Sequence, residues 1–439
     1  MEPIVHQLEP NPREIAVDNQ LTDVFVTVKI GNAQEGGNFV SVDGTELVKG
    51  DFSNPKLLGK AADLKDKEMK FETNVLDVNS FSNQCVITTT FTNTNQKVLF
   101  KQIDDGAAPK NGIASFQGVY VIKILSVLLF ILCFSFSEVH SQTDKSEFSS
   151  LETPASPGFI LFDQTPSAIE KPATPQGLGF SVLSLQQNGG AIEVAPYWLK
   201  VHPDLTADVF NKLLFPIVEH FSISIASVEA DSVQNFAVGF RTRLLQVYDP
   251  NHLSKLDTIK KNIRSELSNP LSQLNFKKIE ELRQKYVDVA SRPTLHIDLA
   301  GAVGGTSVSK SYKDIEYNRW STWLSFNYRP KGDDFYFTVL SRYRNNESLT
   351  TSTDTDVVDL GSRFNYDIGN FALSLEYLQR FDLTNDDSQD YRLAVIGSYK
   401  ITNNLSITSS FGKNFEEVDN VIALAGINFG LSKSAVKAF

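Results

Sequence analysis

From Thr294 onward the chain repeats one unit, about ten residues of alternating polarity followed by a turn. Leu360, Ser362, Phe364, Tyr366 and Ile368 interleave with Gly361, Arg363, Asn365 and Asp367. Phe371, Leu373, Leu375 and Tyr377 interleave with Ala372, Ser374 and Glu376, and the runs around Tyr391–Ile401 and Val421–Leu431 repeat the pattern. Successive side chains of a strand point to opposite faces, so each segment has one apolar and one polar face.

A soluble sandwich buries such an apolar face against a second sheet, whereas a transmembrane barrel turns it to lipid and its polar face to the lumen. Three features favour the barrel. Strands of about ten residues suit a tilted membrane strand, while strands of globular domains run nearer five or six. Aromatics crowd the strand ends, as at Trp320, Trp323, Tyr328, Tyr343, Tyr366, Tyr377, Tyr391 and Tyr399. Connections alternate in length: Pro330–Asp333, Asp367–Asn370 and Thr402–Asn404 are tight, and Asn345–Asp356, Asp382–Asp390 and Gly412–Asn420 are long. Outer-membrane barrels pair short periplasmic turns with longer outside loops. Earlier strands are expected at Gly179–Gln186, Ala191–Leu199, Phe221–Glu229, Phe236–Val247 and Thr294–Val303. Seven more begin at Arg319, Asp334, Val357, Phe371, Tyr391, Leu405 and Val421, giving about twelve with both ends on the periplasmic side.

The connection from Tyr248 to Pro293 breaks the pattern. His252–Glu266 and Leu271–Val289 carry apolar residues at helical spacing, among them Ile279, Leu282, Tyr286 and Val289, and Pro270 divides them. Parity puts this insertion, residues 251–291, on the periplasmic side, as a cap on the barrel rim or a surface for a periplasmic partner. Thr206–Glu219 reads as another helix-like segment on that side.

Residues 1–120 carry short alternating runs such as Val24–Ile30 and Cys85–Phe91, with Gly36-Gly37, Asp43-Gly44 and Asn111-Gly112 as turn signals. They predict a small antiparallel β domain of sandwich type with no ligand-spaced cluster. Lys56–Lys70 reads as a loop or short helix. Residues 121–141 hold a basic Lys123, an apolar run Ile124–Phe136, and Val139 and Ser141 ahead of Gln142. An apolar helix of that length covers about 20 Å, short of the roughly 30 Å of a hydrocarbon core. Together these read as a secretory signal peptide in an internal position, cleaved between Ser141 and Gln142. The first 120 residues are then a separate module, joined by gene fusion or an over-extended reading frame, and the mature barrel begins at Gln142. Residues 142–177, rich in Ser, Thr and Pro, read as a linker, leaving 178–439 for the barrel. The fold class expected is mainly β: an antiparallel transmembrane barrel of about twelve strands with a helical insertion, preceded by the small domain.

A formal net charge of −11 argues against a nucleic-acid partner, which calls for a basic patch. Only Cys85 and Cys133 occur, so nothing after Ser141 offers thiolate chemistry or a Cys-bound metal. Six histidines without paired spacing give no metal site, and no cofactor is implied. Asp354-Thr355-Asp356 and Asp386-Asp387 read as solvated loops, since they lack the Gly and Glu of a calcium loop. His296 and Asp298 share a strand face with Ser325 or Ser341 in range, but no spacing demands catalysis; a non-enzymatic barrel is the reading, with a barrel hydrolase as the weaker alternative.

If the apolar face meets lipid, the lumen receives Arg241, Arg243, Arg342, Arg344, Arg363, Arg380, Arg392 and Lys400 against Glu193, Asp298, Asp367 and Glu376. Eight cations against four anions predict a passage or pocket favouring anions. The alternative is a lumen sealed by arginine–carboxylate pairs, in a structural or assembly barrel whose periplasmic helices engage a partner protein.

The signal-like run, the Pro-rich stretch and the C-terminal strands resemble Bacteroidetes-type outer-membrane β-barrel proteins over about residues 121–439, most closely in "KPATPQGLGFSVLSLQQNGGAIEVAPYWL". The resemblance implies an outer membrane of a Gram-negative cell, with the lipid bilayer as partner. The ending "LSKSAVKAF" runs past the last strand and departs from the usual barrel terminus.

Overall fold

The alternating segments form strands, and their pairing sorts them into three sheets. A computed structural model describes residues 3–17, 21–124, 156–163, 168–169, 178–184, 189–230, 233–309, 311–330, 335–346, 355–368, 371–384, 389–402, 405–415 and 421–431. Ser141 and Gln142, with the proposed cleavage point, lie outside these residues.

The first domain is built by β1 (Ile4–Gln7), β2 (Arg13–Val17), β3 (Asp23–Ile30), β4 (Glu35–Val42), β5 (Thr45–Gly50), β6 (Lys56–Lys60), β7 (Glu68–Leu76), β8 (Gln84–Asn93), β9 (Val98–Ala107) and β10 (Ile113–Ile124). Helix α1 (Ala61–Leu64) links β6 to β7, so the lysine-rich stretch, read as a loop or short helix, holds a short helix flanked by strands. One sheet runs β1-β10-β7-β4-β5 with β2 also on β10, and the other runs β6-β3-β8-β9. Between them Val24, Val26, Phe71, Phe91, Phe116 and Tyr120 are buried, with the Phe71 and Tyr120 rings 4.7 Å apart. The pairing is mostly antiparallel, but β1 and β2 both lie parallel to β10.

Two expectations for this region change. Val121–Ile124 pairs with Glu14–Val17, so the first domain's sheet takes in the opening residues of the segment 121–141 that was read as signal. Lys123, read as the basic flank of that signal, pairs with Asp66 at 2.9 Å. Gly36-Gly37 is no turn but lies inside β4, whereas Asp43-Gly44 does turn, with φ of 49° and 81°.

The third sheet closes on itself. Its strands are β11 (Leu178–Ser184), β12 (Gly189–Val194), β13 (Ser222–Ala230), β14 (Val233–Val247), β15 (Leu295–Ser307), β16 (Glu316–Tyr328), β17 (Phe335–Asn346), β18 (Thr355–Ile368), β19 (Phe371–Asp382), β20 (Gln389–Thr402), β21 (Leu405–Lys413) and β22 (Val421–Leu431). Each pairs antiparallel with the next, and Leu178–Ser184 pairs with Ala425–Leu431 to make a closed barrel. The second strand stops at Val194 rather than Leu199, because Pro196 opens a 3-10 turn.

Short α2 (Pro157–Leu161) precedes the barrel, and α3 (Ala207–Phe210) lies between β12 and β13. The insertion between β14 and β15 forms α4 (Pro250–Leu267) and α5 (Phe276–Ala290). Pro250 occupies the first turn of α4 and the Asp249 side chain accepts from the Asn251 amide at 2.8 Å, while Asn275 caps α5 through the Lys278 amide. Both devices satisfy amides that a helix start leaves open. Among the described residues no helix is long and apolar enough to cross a membrane.

The insertion packs on the first domain. Leu76, Val78 and Ile113 of that domain share a core with Leu256, Ile263, Leu267, Ile279, Leu282 and Tyr286. Gly37 sits here because a Cβ would lie 2.5 Å from the Arg264 carbonyl oxygen, which explains its place in a strand. A second contact stacks Phe81 on Trp198, ring centroids 4.7 Å apart, and ties the Ala33 amide to the Leu205 carbonyl at 2.6 Å.

Candidate functional site: a filled lumen

The barrel wall places charge inside and hydrocarbon outside. Along β19, Phe371, Leu373, Leu375 and Tyr377 are exposed while Ala372, Ser374, Glu376 and Leu378 are buried. Arg342, Arg363 and Arg392 are 2% exposed or less, and Leu360, Phe364 and Leu375 are 47–52% exposed. Outward aromatics gather towards both ends, with Tyr328, Phe337, Tyr366, Phe371 and Tyr399 near the short turns and Tyr317, Tyr377 and Tyr391 near the other rim.

Burial at that level requires each inward charge to find a partner. Arg241 forks onto Glu193, its Nε 2.7 Å from Oε1, and the Ser222 hydroxyl donates to the same carboxylate. Arg243 Nε donates to Asp298 at 2.9 Å. Arg392 Nε donates to Glu376 at 2.9 Å and Arg363 donates to the Ser374 hydroxyl at 2.9 Å. Arg342 and Arg380 share Asp359, with Nε distances of 2.8 and 2.7 Å. The side chains of Lys400 and Asp367 lie outside the described set.

The rest of the compensation comes from residues 156–163 and 168–169, within the stretch expected as linker. Helix α2 lies inside the barrel against β13, β14 and β15, where Phe159, Ile160, Leu161 and Phe162 join a buried cluster with Ala226, Ala237, Ala302 and Trp323. Gly239 of the wall faces Pro157 so closely that a Cβ would lie 2.6 Å from the proline Cβ. Beyond the helix, Asp163 meets three wall arginines: Arg344 Nη1 at 2.6 Å, Arg380 Nη2 at 3.1 Å and Arg342 Nη2 at 3.3 Å. Further on, the Ala168 and Ile169 amides donate to the Glu376 carboxylate at 3.1 and 2.8 Å, and the Ile169 carbonyl accepts from Arg363 at 2.7 Å. The segment is a plug. Within the stretch read as linker, these described residues pack because an apolar run, Pro157–Phe162, sits inside the Pro- and Ser-rich sequence and has a greasy patch of wall to fill.

At the end that faces the first domain, a cavity of about 60 Å3 is lined by Phe81, Phe210, His220, Arg243, Gln246 and His296, among others. His296 Nε2 approaches Asp298 at 3.3 Å, and the strand register sets Ser325 opposite Asp298, while Asp298 itself is engaged by Arg243. Burial pushes His220 well below the usual imidazole range. Among the described residues no group of His, Cys, Asp and Glu is arranged to hold a metal ion.

The contact with the first domain is itself charged. Arg264 of α4 spans Glu35 at 2.7 Å, Asp208 at 2.8 Å and Asp51 at 3.0 Å, and Lys260 also reaches Asp208. Three carboxylates share two cations, and Glu35 is the most buried of the three. Burial pushes its carboxyl up to about 7 against the pull of Arg264. Burial works the same way on half-exposed Asp208, but hydrogen bonds from Lys260 and Arg264 hold it down to about 2. The helices read as a rim cap or a surface for a partner thus pack part of their surface against a domain of their own chain.

Of the twelve lumen residues expected, ten have described side chains, and all ten are inward or take part in inward ion pairs. Two carboxylates were missed. Asp359 falls on the Arg363 and Asp367 parity of β18 but precedes the apolar run from which that strand was recognised. Asp163 lies outside every strand, so no alternation could reveal it.

No family model matches the chain, and neither does any curated protein. Among solved structures, the KdgM porin in complex with disordered oligogalacturonate superposes at a TM-score of 0.32 with 10% identity, over 58% of this chain and 98% of that one. The NanC porin gives 0.30 and 10% over 58% and 97%. A loop-deletion form of OmpT, an outer-membrane protein of Vibrio cholerae, gives 0.26 and 8% over 92% and 99%. These neighbours are outer-membrane β-barrel proteins, and their overlap is slight enough that function is argued from this chain's own geometry.

Proposed function

We propose that residues 156–439 form an outer-membrane barrel whose lumen is held shut by its own plug, with the first domain docked on its periplasmic end. The observation that carries the membrane reading is the inversion of the wall, with leucines, phenylalanines and tyrosines outside and arginines and glutamates inside. A monomeric soluble protein rarely exposes a contiguous apolar patch beyond a few hundred Å2, and the outward apolar side chains described from β12 to β21 form the kind of surface a barrel turns to lipid. The short turns near Tyr328, Tyr366 and Tyr399 mark the periplasmic end, which also carries the two helices.

The plug favours the sealed reading over the open passage. Its backbone amides and Asp163 complete ion pairs that the wall leaves incomplete, so withdrawing it leaves buried guanidiniums uncompensated, at a cost of several kcal/mol. Solute passage is a second reading for a state in which the plug has moved, because the wall behind it is polar and arginine-rich. Planar-bilayer recordings separate the two. The whole chain is expected to be electrically silent, and a variant lacking residues 156–169 is expected to show steady openings. Steady conductance by the unaltered chain would overturn the sealed reading. Heat-modifiable gel migration, with residues 178–431 protected in the membrane fraction, tests the barrel itself.

A further inference from the structure

Four guanidiniums gather near the outer part of the lumen, and the wall supplies one carboxylate among them. Arg342, Arg344 and Arg380 converge on the plug residue Asp163, while Arg319 lies over the Phe162 ring at 4.9 Å. The wall's own Asp359 is already engaged by Arg342 and Arg380. Even with Asp163 in place the donors are not exhausted. Among the described residues Arg342 Nη1, Arg344 Nε and Arg319 Nε are buried with no hydrogen-bond partner, and Arg342 is 1% exposed. A guanidinium presents its N–H groups in a planar fork that matches a carboxylate, so a pocket of three forks with spare donors is suited to that group.

We propose that Arg342, Arg344 and Arg380 form a carboxylate-binding site of the lumen, that Asp163 occupies it in cis, and that small carboxylate solutes are the class it takes once the plug is displaced. The inference rests on the plugged-barrel reading and adds the ligand class to it. Apolar surface lies at hand for the body of such a solute, since Phe415 packs against the Arg380 guanidinium at 3.5 Å. A tethered carboxylate enjoys an effective concentration on the order of millimolar or above, so a free acid competes poorly while Asp163 remains. The site therefore shows itself when Asp163 is removed and an untethered carboxylate is supplied.

The test is chemical rescue on the full chain in detergent, read as the temperature at which heat-modifiable migration is lost. Asp163→Ala in sodium chloride is expected to lose the folded form at a lower temperature than the unaltered protein. Sodium formate at matched ionic strength should restore it saturably over millimolar to tens of millimolar, and the unaltered protein should not respond. Adding Arg344→Gln to Asp163→Ala should abolish the response. Equal effects of formate and chloride, or an unchanged response in the double variant, overturn the proposal. Should Asp163→Ala fail to insert, the variant lacking residues 156–169 decides instead: formate is expected to reduce its single-channel current, and Arg344→Gln to relieve that block. Openings indifferent to formate sink the carboxylate site and leave the plug reading standing. A silent deletion variant alongside successful rescue does the reverse.

Discussion

The chain contains two β structures with opposite polarity. In the first domain the alternating residues of β3 turn Val24, Val26 and Val28 inward. In the barrel the same alternation turns Leu373, Leu375 and Tyr377 outward and buries Ser374 and Glu376. Period-two patterning is blind to this choice, because it states that two faces differ and not which one meets solvent. The deciding information sits elsewhere, in strand length, in aromatics at strand ends and in the charge of the polar face. A buried face that carries Arg392 and Glu376 has to organise ion pairs, whereas one that carries valine and phenylalanine needs only close packing.

The comparison breaks most visibly where each interior is emptied. Phe91→Ala should cost the sandwich about 3–5 kcal/mol, the usual range for a buried phenylalanine. It should be seen as faster hydrogen exchange in β3 and β8, with the barrel still heat-modifiable. Arg392→Ala should do similar damage to the barrel, about 3–5 kcal/mol, by leaving Glu376 buried without its guanidinium, and urea titration in lipid would register it. A sandwich that survives the first, or a barrel indifferent to the second, would mean the interiors are misassigned.

The outer faces offer a sharper contrast. Leu375→Arg places a charge in the hydrocarbon belt and should cost about 2–4 kcal/mol if it lies near the midplane. Leu57→Lys, on a side chain of similar exposure in the first domain, should stay within about 0.5 kcal/mol. Equal tolerance of the two substitutions would argue against lipid around the barrel.

A third effect, spread over a range of pH, concerns the seam between the two structures. Glu35 takes up its proton at about 7 when docked, above the ordinary ~4.3 of a free glutamate, because burial penalises its charge. As pH rises through that window the undocked state loses the proton first. Docking is therefore favoured at the acid end and weakens by roughly 1 kcal/mol per pH unit until about pH 7, then levels off. Asp208 contributes in the opposite sense, lost only as pH falls from ~4 towards 2. Hydrogen-exchange protection of α4 at pH 5, 6.5 and 8 should follow the Glu35 slope, and Glu35→Gln should flatten it.

Much of the barrel was legible because the alternation is repeated on every strand: four of the five early strands were expected within four residues of both ends, and the seven later starts fall within three residues of those observed. The two helices of the insertion were legible from apolar spacing and from Pro270. What escaped depends on shape rather than period. Gly37 looked like a turn because its reason for being glycine lies in Arg264, more than two hundred residues away. Asp163 looked like part of a linker because composition averages over the six-residue apolar run before it. The cation excess read from the wall was real arithmetic on an incomplete set, since Asp359 and Asp163 both belong in the count.

One small overlap links folding to destination. Val121–Ile124 zip the last four rungs between β10 and β2, and the same residues open the segment 121–141 that reads as an export signal. A chain segment cannot be stitched into a sheet and threaded through a secretion channel together. Were that segment to direct export, it would compete with the folding of the domain before it, and a holdase that keeps residues 1–124 unfolded would decide the winner.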